Sequence, residues 1–584
     1  MGSFFKTFFA SLLSLIVFSL LMLLVMVLFV GGLTKKVRPR IADKSVLVLD
    51  LRHHYKEQAQ DNPFAMLTSG EDENIPGLYD VVRLLRRARG DTKIAGVYVV
   101  TRSGSNGFAA ASELAKALED FKSSGKFVFA HGNLLTQRDY AVASVADSIF
   151  VSPQGFVEWF GFSLELAFVK GTLEKLEIEP QIFYAGKFKS ATEPFRGERM
   201  SEENRLQSTV WLNELYNNFL QKVSARRRID TAALRRLAVE GSVLSADDAV
   251  AHRIIDGLKY DDEVREIIRS RLELQKDSRL EFISVATYKE AAKKIDFPGG
   301  NLALIFAEGT IVDGKGREGL IGSDEYRTLI RRARMDKNIK AIVFRINSGG
   351  GSSVASENIW RELSLAQKEK PVVVSFGDVA ASGGYYIACA ADSIFADPST
   401  LTGSIGVFGI IPNMEKFFRN KLGVTFDGVK TGPLADVGTP SRAMTEREKQ
   451  LVQQEIDRIY AQFRQRVAEG RKKDTAYVET IAQGRVWTGT RAREIGLIDR
   501  FGGLQEAIDC AARMGKISSV NLREMPEREN ILDKLFKKAS PLDLRTVIRE
   551  QAGEENYRLL EELRAIRELC NSPQTRLPFQ FRIR

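Results

Sequence analysis

Short unbroken apolar runs alternate along the chain with longer stretches whose apolar residues recur every three to four positions. Residues 45–51, Ser-Val-Leu-Val-Leu-Asp-Leu, have the first pattern and predict a buried strand. Val81, Val82, Leu84 and Leu85 have the second and predict a helix with one buried face. A strand over 94–100, a helix over 112–121 and a strand over 127–130 continue the series. Strands and helices of these lengths in strict alternation predict parallel βαβ units with right-handed crossovers. The same order returns later: strand 302–306, helix 326–334, strand 341–346, a helix from Ser353, and strand 372–375.

The recurrence extends to sequence. Arg86-Arg87-Ala88-Arg89 and Ala146-Asp147-Ser148-Ile149-Phe150 reappear as Arg331-Arg332-Ala333-Arg334 and Ala391-Asp392-Ser393-Ile394-Phe395, at one constant offset. Both copies close with a Gly-x-Val turn and a helical stretch, from Gly241-Ser242-Val243 to Ile255-Asp256-Gly257 and from Gly484-Arg485-Val486 to Ile498-Asp499. The chain therefore reads as a tandem duplication. The expected organisation is a segment 1–40, a first repeat 41–271, a charged linker 272–300 ending in Pro298-Gly299-Gly300, a second repeat 301–513, and a tail 514–584. In the tail, 554–568 has the charge pairing of an exposed helix, and 577–584 alternates like an added strand.

Residues 8–33 carry no charged side chain and are dense in Leu, Phe and Val, longer than the ~20 residues that cross a bilayer as a helix. Val30-Gly31-Gly32-Leu33 is a weak match to a cleavage site, so an uncleaved anchor is expected rather than a signal peptide. Lys35, Lys36, Arg38 and Arg40 follow the span and only Lys6 precedes it, which by charge alone would place the body in the cytoplasm. The net charge of +10 is spread along the 584 residues without a basic stripe interleaved with aromatics, so no nucleic-acid partner is expected. Cys389, Cys510 and Cys570 lie far apart, and His53, His54, His131 and His252 are all outside the second copy. These spacings imply neither a disulfide framework nor a metal site.

The copies differ where chemistry is concentrated. Superposed, they set Gln137 opposite Ser382 and, after a one-residue slip, Lys189 opposite Ala435. Ser382 stands at a strand-to-helix turn, Gly377-Asp378-Val379-Ala380-Ala381-Ser382-Gly383-Gly384-Tyr385-Tyr386, where a serine is often only a helix cap. Its neighbours are small, which clears space around one hydroxyl. The first copy has Thr136-Gln137-Arg138-Asp139 there, so the fold itself does not require the serine. A hydroxyl nucleophile needs a base. With no histidine in the second copy, a buried lysine amine of lowered pKa is the available type, and Lys187 and Lys189 both lie in one candidate segment. A second glycine-rich turn, Asn347-Ser348-Gly349-Gly350-Gly351, reads either as a tight structural turn or as backbone amides presented to an anion or oxyanion.

The segments Phe188-Lys189-Ser190-Ala191 with Glu193-Pro194-Phe195, and Ala381-Ser382-Gly383-Gly384-Tyr385-Tyr386, resemble the lysine and nucleophile motifs of the signal peptide peptidase A (protease IV) family in its long, double-domain form. The resemblance covers nearly the whole chain. It implies an α/β fold of two ClpP/crotonase-like domains, Ser382 as nucleophile, Lys189 as general base, and the amides of Gly383 and Gly350 as the oxyanion hole. It further implies that Ser404, in Thr402-Gly403-Ser404-Ile405-Gly406, orients the lysine. Gly349 departs from the family's proline in Asn-Ser-Pro-Gly-Gly. Single-domain relatives carry the lysine where this chain has Ala435, in Ala435-Asp436-Val437-Gly438-Thr439-Pro440-Ser441-Arg442.

The resulting expectation is a membrane-anchored serine endopeptidase with a Ser-Lys dyad, without metal or cofactor, acting on cleaved signal peptides and other apolar segments. The resemblance implies a homotetramer on the inner membrane with its body in the periplasm, and large domains can translocate despite flanking charge. The rivals are an acyl-CoA enzyme of the crotonase type, which would not need Lys189, and a catalytically inactive membrane scaffold.

Overall fold

The computed structural model describes residues 6, 8, 10–19, 21–22, 39–59, 75–292, 300–316, 319–527 and 573–577. The first repeat supplies strands β1 (Ser45–Asp50), β2 (Ile94–Arg102), β3 (Phe127–Leu135), β4 (Ser148–Val157), β5 (Glu179–Ala185), β6 (Gly257–Leu258) and β7 (Phe282–Ser284). All but β5 form one sheet in the order β6-β4-β3-β2-β1-β7, with every neighbouring pair parallel. Helices α1 (Leu78–Gly90) and α2 (Phe108–Lys122) are crossovers, followed by the short α3 (Gln137–Ala143) and the long α4 (Glu202–Arg227). Val81, Val82, Leu84, Leu85 and Ala88 of α1 are all buried, as their spacing requires. Burying each larger side chain contributes about 1.5–3 kcal/mol. Ser201 caps α4 by accepting from the Asn204 amide, and the helix ends at Arg228 with φ 56°.

The second repeat supplies β8 (Leu302–Glu308), β9 (Thr310–Val312), β10 (Leu320–Gly322), β11 (Ala341–Ser348), β12 (Gly350–Ser352), β13 (Val372–Ala381), β14 (Ser393–Ala396), β15 (Leu401–Gly403), β16 (Val407–Asn413), β17 (Val486–Thr488), β18 (Arg500–Phe501) and β19 (Leu522–Met525). Its helices include α5 (Ser323–Met335), α6 (Ser353–Gln367) and α7 (Gly383–Ala388). The parallel run β18-β14-β13-β11-β8-β19 reproduces the order of the first sheet. Leu302 to Ala307 are buried without interruption, the pattern of a parallel strand covered on both faces.

The repeated motifs have repeated structural duties. Asp147 and Asp392 each accept from a backbone amide at the start of the neighbouring strand, at Val128 and Val372 (both 2.8 Å). Asp256 and Asp499 do the same for Ile149 and Ile394. Tyr140 and Tyr385 donate to the carbonyls of Ile254 and Leu497. These bonds satisfy buried backbone groups at equivalent points, which accounts for the matching sequences.

The 272–300 stretch expected as a linker contains β7, which pairs with β1 at the edge of the first sheet, and the helix Val285–Ala291. At the equivalent edge of the second sheet, β19 falls within 514–584. The expected helix over 554–568 and, apart from Leu577, the expected strand over 577–584 lie outside the described residues, and the tail contributes a different strand, β20 (Gln574–Arg576). Residues 10–19 are helical with exposed apolar side chains, including Leu13, Leu15 and Phe18. No helix among the described residues is long and apolar enough to cross a membrane, and most of 20–33 lies outside them.

A third sheet, β10-β9-β12-β20-β16-β5, joins the halves, because β5 of the first repeat pairs antiparallel with β16 of the second. Beside it, fully buried Arg345 on β11 donates to Glu57 and Glu113 of the first repeat, and to Ser375 Oγ and the Phe376 carbonyl on β13. Asp378 accepts from the Ala109 and Ala110 amides at the start of α2.

Candidate active site

The antiparallel pairing of β5 with β16 sets Ala185 opposite Val407 and delivers the next turn to the second repeat. Gly186 (φ 102°) reverses the chain, and the Phe188 amide donates to the Gln483 carbonyl (2.8 Å). Gly484 (φ 76°) packs so closely that a Cβ on it would lie 2.6 Å from Lys189 Cβ, so only glycine permits this approach. Gln207 on α4 donates to the Phe188 carbonyl (3.0 Å) and Ser190 Oγ (3.2 Å), while accepting from the Val486 amide (3.2 Å). Glu193 fixes the far side through Ser201 and Asn204. Lys189 is thereby aimed into the second repeat.

Its Nζ lies 2.8 Å from Ser382 Oγ, 3.0 Å from Ser404 Oγ and 3.1 Å from the Ser404 carbonyl. All three residues are buried, with Ser382 at 0% and Lys189 at 1% exposure. Burial, with no neighbouring charge contributing, holds the Lys189 ammonium well below the ordinary lysine range. A neutral amine has two N–H groups and one lone pair. Here they match two acceptors on Ser404 and one hydroxyl donor on Ser382.

Ser382 occupies the turn between β13 and α7 with φ 53° and ψ −115°, a costly conformation for a residue with a Cβ. Its amide donates to the Gly403 carbonyl (2.8 Å) and its carbonyl accepts from the Tyr386 amide (2.8 Å). Its side chain makes no cap bond, so the helix-cap reading of this serine does not hold. The surrounding glycines are required by packing: a Cβ on Gly383 would lie 2.6 Å from Ser356 Oγ, and one on Gly384 2.7 Å from the Ser348 carbonyl. Ser404 also has positive φ (49°), and its amide donates to the Arg485 carbonyl (2.7 Å). Gly350 (φ 99°) adjoins Gly383, since a Cβ built on it would lie 2.6 Å from the Gly383 nitrogen. The Gly350 amide donates to Ser348 Oγ (3.1 Å).

The structure brings Ser382, Lys189, Ser404, Gly383 and Gly350, which the family resemblance singled out, into one neighbourhood, although they come from two repeats. Lys187 is exposed, with Nζ 5.3 Å from the Phe188 ring centroid. Gln137, the counterpart of Ser382, is buried and exchanges two hydrogen bonds with Gly161 (2.8 and 3.1 Å), a structural duty. Ala435, the counterpart of Lys189, is exposed. His131 bonds to Tyr98 and the Lys259 carbonyl within the first repeat. Gln207 escaped the sequence reading, because a polar residue on a charged helix gives no sign of facing inward.

The chain belongs to peptidase family S49, whose sequence profile matches it twice, over residues 120–275 and 364–518. Two matches in one chain correspond to the double-domain form of these serine peptidases. Among its relatives, Protease 4 of Salmonella typhi is 37% identical over 469 residues, 78% of this chain and 75% of that protein. The chloroplastic serine protease SPPA of Arabidopsis thaliana is 33% identical over 490 residues, 82% and 70% of the two chains. Protease 4 of Haemophilus influenzae is 34% identical over 460 residues, 76% and 74%. A point mutant of ClpP1 from Listeria monocytogenes aligns with 35% of this chain and 94% of its own, at 15% identity and a TM-score of 0.24.

Proposed function

We propose that this S49 peptidase is a membrane-anchored endopeptidase using a Ser-Lys dyad, and that it degrades apolar peptides, including signal peptides already cleaved from their proteins. The observation that carries this reading is the 2.8 Å separation of Lys189 Nζ from Ser382 Oγ, with the amine buried and, among the described residues, otherwise engaged only by Ser404. Ser382 Oγ attacks the peptide carbonyl while Nζ takes its proton. Nζ then donates that proton to the leaving amine, and a water activated by the same amine hydrolyses the acyl-enzyme. The amides of Gly383 and Gly350 stabilise the oxyanion, with the Gly350 amide exchanging its bond to Ser348 for one to the substrate. The Ser404 hydroxyl and carbonyl hold the amine in line.

Preference for apolar substrates is supported by the apolar surroundings of Ser382, whose neighbour Ala381 belongs to a buried cluster with Trp211, Leu215, Leu401, Val486 and Leu577. The apolar run 8–33 holds the body on the inner membrane, near substrates that begin in the bilayer, with the body in the periplasm and four copies assembled. An acyl-CoA enzyme would have no use for a buried amine against a serine hydroxyl. Casein cleavage by the parent chain, Ser382→Ala, Lys189→Ala and Gln137→Ala tests the proposal. Hydrolysis is expected from the parent and Gln137→Ala alone, and full activity of Lys189→Ala would overturn the dyad.

A further inference from the structure

At the carboxyl ends of β1, β2 and β3 the first sheet opens into a cavity of about 650 Å³, bounded also by the helix Asp261–Arg271 and by β7. Volumes of this order hold small ligands, and the carboxyl edge of a parallel sheet is where such ligands bind. The polar groups facing the cavity are unevenly committed. Asp261 accepts from Tyr98 Oη (2.8 Å) with one oxygen and from Arg265 Nε (2.5 Å) with the other. His131 is held between Tyr98 and the Lys259 carbonyl. Asn133 accepts from Ser152 Oγ (2.6 Å) through Oδ1, which leaves its amide nitrogen free to donate. Arg102 is exposed and, among the described residues, its guanidinium makes no hydrogen bond or ion pair. The uncommitted capacity is therefore that of donors, one of them charged, beside apolar Val48, Val100, Leu134 and Phe282. That combination suits an apolar ligand carrying an anionic acceptor.

The second repeat shows what this place in the fold receives. At the offset that carries Arg86 to Arg331, Val100 corresponds to Arg345. The helix beginning at Asp261, five residues after Asp256, corresponds to the helix Leu504–Met514, which begins five after Asp499. There Glu113 of the first repeat accepts from Arg345 (2.6 Å) and from the Leu504 amide (3.1 Å), and Glu57 accepts from Arg345 as well. Two carboxylates thus share one guanidinium. In the first repeat the guanidinium is that of Arg102. A second copy of the chain does not supply the matching acid. At the position of Glu113 its α6 has Asn358, and its Glu357 is engaged by Tyr386 and Arg466.

We propose that the cavity is a binding site for a free carboxylate on an apolar chain, specifically the C-terminal residue of a peptide. Arg102 and Asn133 hold the carboxylate, and the apolar walls take the side chain. Arg265 and Phe282 also line an adjoining cavity of about 510 Å³, whose walls include Asp262, Glu266 and Arg269. Those polar walls suit a peptide backbone continuing outward better than the acyl chain of a fatty acid, which shares the carboxylate chemistry. Hydrolysis creates such termini, so the site retains products of the chain's own reaction. That choice of ligand rests on the Ser-Lys peptidase reading; the carboxylate does not.

Calorimetric titration of the full-length Ser382→Ala chain tests the site without turnover. The probes are acetyl-Ala-Ala-Leu, its C-terminal amide, and octanoate. The free acid is expected to bind about tenfold or more tightly than the amide, and Arg102→Gln in the same background should erase that difference. Octanoate is expected to bind more weakly than the peptide acid. Equal binding of acid and amide, or an Arg102→Gln chain that still separates them, would overturn the carboxylate site. Tighter binding of octanoate would overturn the peptide assignment. Binding of the acid only after dilution into single chains would mean that a second copy closes the face, and would overturn the site in the assembled protein. Casein cleavage by the parent is read separately. An inactive parent would overturn the peptidase reading, while the titration would still decide the carboxylate site.

Discussion

Replacing Lys189 by methionine keeps most of its length and apolar stem while removing the amine. Burial lowers the Lys189 pKa in the fold, so the folded chain binds this proton less readily than the unfolded chain does. The resulting penalty on stability is fully present below the folded pKa, and it fades as pH rises towards the ordinary lysine value. Lys189→Met is therefore expected to be inactive yet more stable than the parent near neutral pH, with the difference closing above about pH 10. Urea unfolding across that range checks it. Removing either Ser382 or Lys189 should reduce hydrolysis by about 10³–10⁶-fold, as when one member of a catalytic unit is deleted. Ser404→Ala leaves the carbonyl contact but removes the hydroxyl. A drop of about tenfold in kcat/KM with a shifted acid limb of the pH profile is expected for a positioning residue. Both catalytic candidates were legible in the sequence, Ser382 from its small neighbours and Lys189 from the resemblance. What no residue pattern carried was the positive φ of Ser382 and Ser404, because that strain is imposed by backbone partners distant in sequence.

The elements that bring the site together are those hardest to read. The strands of the two parallel sheets announced themselves because burial on both faces demands apolar runs, unbroken over 302–307 of β8 and interrupted in β11 chiefly by the buried Arg345. By contrast, β5 (Glu-Pro-Gln-Ile-Phe-Tyr-Ala) and β20 (Gln-Thr-Arg) are mixed sequences whose partners are β16 and β12, far along the chain. Their pairing depends on tertiary context that local composition does not encode. Arg345 belongs to the same class of long-range features, tying β11 and β13 to Glu57 and Glu113 of the first repeat. Truncating one member of so buried a network leaves carboxylates unpaired, and Arg345→Met is expected to cost about 3–5 kcal/mol by denaturant unfolding. Glu308, whose carboxylate accepts from the Glu57 amide, is raised above the usual carboxylate range by burial and then by the charge of Glu57. A raised acid binds its proton more readily in the fold, so its contribution to stability declines as pH rises from the carboxylate range towards neutrality. Glu308→Gln should flatten that decline, as measured by melting temperature against pH.

For the whole molecule, the two family S49 repeats meet at one candidate site to which each contributes residues. Gln137 is bonded to Gly161 and Ala435 is exposed, while Ser382 and Lys189 meet across the junction of the repeats within a single chain. Deleting residues 1–33 should release the protein from phospholipid vesicles in a sedimentation assay and leave hydrolysis of a soluble peptide within about twofold, if that run serves only as the anchor. The most direct measurement is the rate at which a fluorophosphonate labels Ser382, followed by intact mass in the parent, Gln137→Ala and Lys189→Ala across a pH series. A single labelled serine is expected in the parent and Gln137→Ala, with rates that fall on acidification as the Lys189 amine gains its proton. Labelling should drop about 10³-fold or more in Lys189→Ala. Labelling of Lys189→Ala at the parental rate, or a rate in the parent that stays flat into mild acid, would contradict the dyad.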